Sequence, residues 1–147
     1  MPTWLLKTEP STYSFADLLR EKKAVWDGVT NPLALKHVRS VRKGDTLLIY
    51  HTGEEKRIVG IAKATSDGHS ATRTGHTNLA VFELAPLRPL GKPVPLSAIK
   101  SDARFLEWEL LRLGRLSVVP VPPAVEAALM ELAGEIGGRD YKTVIRP

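Results

Sequence analysis

The sequence contains no cysteine, and this absence removes several classes of function. Disulfide bonds, thiolate catalysis and sulfur-ligated metal sites are excluded, and a chain without thiols fits a reducing compartment. No apolar run approaches the ~20 residues that are needed to cross a bilayer. The N-terminal segment reaches a charge at Lys7 and lacks the longer apolar run of a secretion signal. We therefore expect a cytoplasmic protein that does not bind membranes.

Familiar catalytic and cofactor-binding motifs are also missing. There is no Walker loop, no Gly-x-Gly-x-x-Gly and no His-Glu-x-x-His, and no serine lies in a Gly-x-Ser-x-Gly elbow. Of the four histidines, His69 and His76 share one polar segment, without other ligand types at the spacing of a metal site. We therefore expect no catalytic residues, no metal and no cofactor.

The length of the chain and its net charge indicate one basic domain. A chain of 147 residues with 43% apolar residues suits one domain over residues 1–147 with its own core. Its net charge is +5 and its isoelectric point is about 9.6. A basic protein favours polyanions, chiefly nucleic acid, although many basic proteins bind none.

Apolar runs, prolines and glycines predict short strands interspersed with helices. We expect strands near 4–7, 46–51, 57–64, 79–85 and 116–121, and helices near 15–21, 32–42, 123–133 and within 97–113. Residues 66–78 are expected to form a loop, 86–95 a bent connector, and the chain from about 138 a loosely held tail. Gly60 predicts a bulge or a close backbone approach, and Pro120 an edge strand. Because strands and helices do not alternate regularly, we predict an α+β fold with a small barrel or curled sheet of five to six strands flanked by helices.

Polar residues follow two of the apolar strands. Residues 7–9 follow the strand that begins at Trp4, and residues 50–52 follow residues 47–49. Charged groups leaving a buried strand either form a solvated rim or face a polar cavity. A third cluster runs from Trp26 to Asn31. Its Trp either packs the entry of the next helix or forms one wall of a slot that stacks a flat ring.

Basic residues recur at helical spacing after Asn31. Lys36, Arg39 and Lys43 are expected on one face of that region, and Arg112 and Arg115 add positive charge further along. Such a stripe either follows a phosphate backbone or is a solvated charged surface.

Together, these segments resemble the EVE domain family. The matching motifs occur in the family's order along nearly the whole chain: Trp4–Pro10 (WLLKTEP) with Tyr13-Ser14, Trp26–Asn31 (WDGVTN), Lys43–Asp45 (KGD), Tyr50–Thr52 (YHT), Ile58–Ala62 (IVGIA) and Leu111–Val118 (LRLGRLSV). The chain departs from the family pattern in a short 66–78 segment without Tyr or Trp, and in Thr30, where an Arg is common.

The resemblance implies a PUA-like fold, related to the readers of methylated adenine, and a pocket that accepts a nucleobase, with modified bases as ligands. Its partner would be DNA or RNA. By matching motif, the residues that would line or border the pocket are Lys7, Thr8, Glu9, Trp26, Gly28, Val29, Asn31, Tyr50, His51, Thr52 and Ser117. We expect binding rather than catalysis. The alternatives are an enzyme that modifies RNA or nucleotides, and a scaffold protein with a vestigial pocket.

The residue types suit such a pocket. An extruded base needs flat or apolar surfaces on its faces and fixed polar groups at its edge. Trp26 and Tyr50 offer faces, whereas Asn31, Thr8 and Ser117, together with Glu9, offer donors and acceptors. A wrong base would leave some of these groups buried and unpaired.

Overall fold

The computed structural model describes residues 2–73 and 76–135, and the tail predicted from about 138 lies outside them. The strands are β1 (Thr3–Thr8), β2 (Ala24–Trp26), β3 (Thr46–His51), β4 (Arg57–Ala64), β5 (His69–Arg73), β6 (His76–Pro95) and β7 (Val118–Val121). The helices are α1 (Phe15–Glu21), α2 (Pro32–Ser40), α3 (Leu96–Lys100), α4 (Glu109–Arg112) and α5 (Pro123–Leu132), with a 3₁₀ turn at Ala103–Phe105.

The strands form one mixed, curled sheet. Within the described residues its hydrogen-bonded path has six strands in the order β2-β6-β4-β3-β1-β7, and β5 pairs with β6 outside this path. The pair β1–β3 is parallel, and the other pairs are antiparallel. Helix α2 packs against both β6 and β7. β6 lies near one end of this strand order and β7 at the other end. Because one helix contacts both, the sheet must curl around α2.

Burial explains why β1 and β3 lie inside the sheet, each with a strand on either side. All six residues of β3 are buried, and so are the first four of β1. Strands whose successive side chains are all apolar must be covered on both faces. Helix α2 supplies part of that cover through Ala34, Leu35 and Val38. Its Asn31 cap and the proline at its start form as predicted, and it ends at Ser40, two residues earlier than expected.

Two local predictions were wrong, and one strand was missed. The segment 66–78, expected to be a loop, contains β5 and the first residues of β6, and the expected connector 86–95 belongs to β6. The short strand β2 was not predicted at all. Hydrogen bonds to neighbouring strands decide these segments, because β2 has only three residues, 66–78 is mostly polar and 86–95 contains four prolines. Prolines are tolerated in β6 because its pairing with β4 contains register shifts.

Two predictions about single residues are confirmed. Residues 58 to 60 contain an irregularity where β4 pairs with β3, and the ring of Phe15 lies against Gly60. Pro120 lies in β7, at one end of the hydrogen-bonded path. Among the described residues, no helix is both long enough and apolar enough to cross a membrane.

Candidate functional site

The parallel pairing of β1 and β3 brings several of the predicted site residues to one edge of the sheet. Lys7 is aligned with Tyr50, and Thr8 with His51. The pairing continues beyond the strands, since the Thr52 N–H donates to the Thr8 carbonyl at 2.9 Å. On the other side, the Lys7 N–H donates to the Ser117 carbonyl at 2.9 Å.

A cleft of about 310 Å³ opens at this edge. Its size is at the lower end of the usual range for small-ligand sites. Three predicted residues, Lys7, Tyr50 and Thr52, line it. The other lining residues are Gly53, Lys56, Leu96, Lys100, Leu110, Leu111 and Gly114. The cleft is therefore basic and aromatic on one part of its wall and apolar on the other.

Lys7 connects two sides of this cleft. Its ammonium donates to the Gly114 carbonyl at 2.8 Å and lies 6.0 Å from the centroid of the Tyr50 ring. Partial burial lowers the pKa of Lys7 below its ordinary value, and burial raises the pKa of Tyr50. An anion in the cleft would offset the desolvation of the Lys7 charge.

Thr8 and Glu9 shape the turn that follows β1. The Thr8 hydroxyl donates to the Tyr13 carbonyl at 2.6 Å. One carboxylate oxygen of Glu9 accepts from the Ser11 N–H at 3.0 Å and from the Ser11 hydroxyl at 3.2 Å. The other oxygen lies against Gly53, where an added Cβ would be 2.6 Å from it. These contacts place Glu9 at the rim of the cleft.

His51 joins the start of α1 to the connection after β3. Its Nε2 accepts from the Phe15 N–H at 3.0 Å, so the neutral ring carries its proton on Nδ1. Nδ1 lies 2.9 Å from a Glu55 carboxylate oxygen, to which it donates. This hydrogen bond from His51 lowers the pKa of Glu55. Both ring nitrogens thus already have protein partners.

The remaining predicted pocket residues lie on the segment between β2 and α2. Trp26 is half-buried and faces Phe82 across the β2–β6 pair, and Val29 is buried. Gly28 has a φ of +76°, with open space where a Cβ would lie. The Asn31 amide oxygen accepts from the N–H groups of residues 33 and 34 at 2.9 and 3.0 Å. Among the described residues, the lining of the cleft does not include this segment.

The predicted basic residues are also distributed over two regions. Lys36, Arg39, Arg112 and Arg115 are exposed, the last two flanking the segment that contains Gly114. Lys43 lies before β3, where its N–H donates to an Asp67 carboxylate oxygen at 2.8 Å. Because each strand residue advances about 3.3 Å, roughly 20 Å separates Lys43 from the cleft at the far end of β3.

Lys43–Asp45, one of the matching motifs, has a packing role. A buried oxygen of Asp45 accepts from the Trp4 indole at 3.0 Å and from the Arg42 N–H at 2.9 Å. The motif therefore ties the start of β3 to β1. Residues 2–73 and 76–135 contain no group of three or more His, Asp or Glu side chains that could hold a metal ion.

Two basic residues of the cleft, Lys56 and Lys100, were not among the predicted site residues. Lys56 lies in a charged hairpin connection and Lys100 at the end of α3. Neither carries a local signal, because lysine is common in both settings, and only folding brings them to Lys7.

A curled mixed sheet with a polar cleft where two parallel strands end defines the class of domain. The family model of the EVE domain matches residues 2–132, and the chain belongs to this family. Chicken thymocyte nuclear protein 1 is 26% identical over 124 aligned residues, and the match covers 67% of this chain and 51% of that protein. The chain thus spans about half the length of this curated relative.

Solved structures show the same fold. The NMR structure of a protein from Rhodopseudomonas palustris is 30% identical, with a TM-score of 0.85 over 92% of this chain and 95% of that one. Human THYN1 in complex with DNA containing 5-methylcytosine is 20% identical, with a TM-score of 0.83 over 90% of this chain and 98% of that one. The predicted α+β, PUA-like fold is confirmed. The sheet path reaches the upper end of the predicted strand number, and β5 adds a further strand.

Proposed function

We propose that this chain is a nucleic-acid-binding module that accommodates a modified nucleobase in a pocket where β1 and β3 end. The observation that carries the proposal is the parallel alignment of Lys7 with Tyr50 and of Thr8 with His51, beside a basic cleft. The complex of the related human protein with 5-methylcytosine DNA supports it and makes 5-methylcytosine the first base to test. The partner is DNA or RNA.

The proposed contacts follow from the chemistry of the side chains. Trp26 stacks on the extruded base, and the Asn31 amide, with Thr8 or Ser117, bonds its edge. Asn31 is suited to this role because its oxygen is engaged in the helix cap, while its nitrogen is a separate donor. Gly28 leaves open space beside this segment, which permits close approach of a ligand.

Binding rather than catalysis is the proposed activity, in a single cytoplasmic domain. The described residues present hydrogen-bonding groups at the ends of strands, and among them no group of three or more His, Asp or Glu side chains could hold a metal ion. The competing proposal is an enzyme that modifies RNA or nucleotides. Conversion of an oligonucleotide by the purified protein would favour that proposal.

The test uses variants at Asn31 and Trp26. Asn31→Asp and Asn31→Ser both keep an oxygen for the helix cap but remove the amide donors, and the Ser variant adds no negative charge. We expect both to reduce the preference for oligonucleotides containing 5-methylcytosine over unmodified ones, while thermal stability is nearly unchanged. Binding is measured by fluorescence anisotropy on proteins whose melting temperatures are also recorded.

Trp26→Ala separates stacking from packing. Loss of a base stack costs about 1–3 kcal/mol, so affinity should fall roughly 5- to 150-fold. A tryptophan that only filled the core would instead lower the free energy of unfolding by about 3–5 kcal/mol. If the Asn31 variants and a conservative Trp26→Phe leave both affinity and base preference unchanged, the pocket assignment is wrong.

A further inference from the structure

Three lysines surround the cleft beside the proposed base pocket. Lys7 reaches it from β1, Lys56 from the connection before β4, and Lys100 from the end of α3. None of the ten lining residues carries a carboxylate. Three positive side chains from separate elements around one concave surface form a setting that attracts an anion.

The leucines of the lining strengthen that attraction. Leu96, Leu110 and Leu111 form an apolar surface against which water is less effective at screening charge. Lys7 uses one of its three N–H groups on the Gly114 carbonyl and keeps two for another acceptor. The carboxylate at the rim, Glu9, already accepts two hydrogen bonds from Ser11.

Lys56 adopts an unusual backbone conformation. Its φ is +47°, and among the described residues Lys22 is the only other non-glycine residue with a positive φ. The Lys56 carbonyl accepts from the Leu96 N–H at 2.8 Å, which ties the connection to the apolar wall. Lys56 therefore carries a side chain at a position where glycine would be under less strain.

We propose that the cleft formed by Lys7, Lys56 and Lys100 binds a phosphate of the bound nucleic acid, and that its leucine wall packs against the adjoining sugar. This inference rests on the proposed function and adds a subsite to it. The cleft adjoins the ends of β1 and β3, so a phosphate held there lies next to the strand ends that border the proposed base pocket. Arg112 and Arg115 are exposed and follow the lining residues Leu111 and Gly114 directly in sequence.

The test compares two lysine-to-glycine variants. Lys56→Gly removes one charge from the cleft and relieves a positive φ, whereas Lys22→Gly makes the same change at the end of α1, away from the residues that line the cleft. Both variants should melt at the same temperature as the unmodified protein or higher, because glycine suits this conformation. Only Lys56→Gly should weaken binding to short single-stranded DNA, on the order of tenfold.

A second pair avoids any change in the backbone. In the cleft variant, Lys56 and Lys100 are both replaced by Gln. In the control, Gln replaces two exposed lysines outside the cleft, Lys63 on β4 and Lys92 on β6. For each protein, the logarithm of the affinity is plotted against the logarithm of the salt concentration. The slope of the cleft variant should be less steep by about 0.7, which is the contribution of one phosphate on a single strand. The control should keep the slope of the unmodified protein.

The outcomes separate the two proposals. If the cleft variants match their controls in affinity and salt slope, the phosphate subsite is refuted even where a preference for 5-methylcytosine remains. If binding falls in the cleft variants but no preference for a modified base is found, the subsite stands and the base-reading function fails. An unmodified protein that binds no oligonucleotide refutes both.

Discussion

The aromatic ring of Phe15 lies directly against the backbone of Gly60. A Cβ built at Gly60 would be 2.4 Å from the Phe15 Cζ atom, far inside van der Waals contact. The same Phe15 donates its N–H to the His51 ring. The first residue of α1 is thereby fixed to β4 through its side chain and to the end of β3 through its backbone.

Replacing Gly60 by Ala should therefore destabilise the fold. The added methyl group must displace a buried aromatic ring, and overpacking of this kind costs about 1–3 kcal/mol. Denaturant unfolding of Gly60→Ala measures the cost. Gly114→Ala is the matched control, because nothing lies within 4 Å of the position of its Cβ. An equal effect of the two substitutions would show that the contact with Phe15 is not responsible.

The ion pair between Arg88 and Glu135 should stabilise the end of α5 against β6. Nη1 of Arg88 donates to Glu135 at 2.9 Å, and the Gly91 N–H donates to the same carboxylate oxygen at 2.9 Å. Glu135 is 8% exposed, so Glu135→Gln removes one charge from a pair that lies in a largely buried setting. We expect a loss of about 1–3 kcal/mol in the free energy of unfolding.

The same pair predicts part of the acid sensitivity. The hydrogen bond from Arg88 lowers the pKa of Glu135 below its ordinary 4.5 in the folded protein. A lowered pKa means that the stabilisation is present above pH 4.5 and is lost as the pH falls through the folded-state pKa. The melting temperatures of Glu135→Gln and the unmodified protein should therefore differ above pH 4.5 and converge as the pH is lowered below it. A constant difference would show that the pair does not titrate in this way.

His37 should contribute a separate pH dependence at mildly acidic pH. Burial lowers its pKa below the ordinary 6.5, against an opposing effect of Glu109 and with a smaller lowering by Lys36. Its ring packs on Trp4 at 5.6 Å between centroids, and its buried Nε2 has no hydrogen-bond partner among the described atoms. His37 therefore binds a proton more readily in the unfolded chain than in the folded protein. Its contribution to the free energy of unfolding is fully present above pH 6.5 and is lost as the pH falls below that value.

His37→Gln removes this titration without removing the polar character of the side chain. The melting temperature of the unmodified protein should decrease from pH 7.5 toward pH 5, and the variant should show a smaller decrease over the same interval. Identical profiles would mean that His37 is not the group that binds the proton. The comparison of the two proteins cancels the contributions of the other histidines.

The basic residues on α2 and in the turn after it offer an alternative path for a nucleic-acid backbone. If Lys36, Arg39 and Lys43 follow phosphates, Arg39→Ala should weaken binding to oligonucleotides of every sequence equally. The slope of log affinity against log salt concentration should become less steep by about 0.7 on single strands. Because roughly 20 Å separates Lys43 from the cleft, this effect should add to that of the cleft variants. An unchanged slope would leave the stripe as a solvated charged surface.

Local sequence determined the elements whose residues carry their own signal. Asn31 and the following proline set the start of α2, and the unbroken apolar runs of β1 and β3 required burial on both faces. The order of motifs along the chain indicated the family and, with it, the fold. These features follow from short-range preferences and from the pattern of apolar residues, which are written in neighbouring positions.

Tertiary structure alone decided which of the polar residues meet. Lys56 and Lys100 are 44 positions apart and join Lys7 only because β3, β4, α3 and α4 converge at one end of the sheet. Likewise, β2 and β5 become strands by pairing with the first part of β6, over residues 76–84. The free energy of such segments comes from hydrogen bonds and contacts to distant parts of the chain, so nothing in their own residues specifies them.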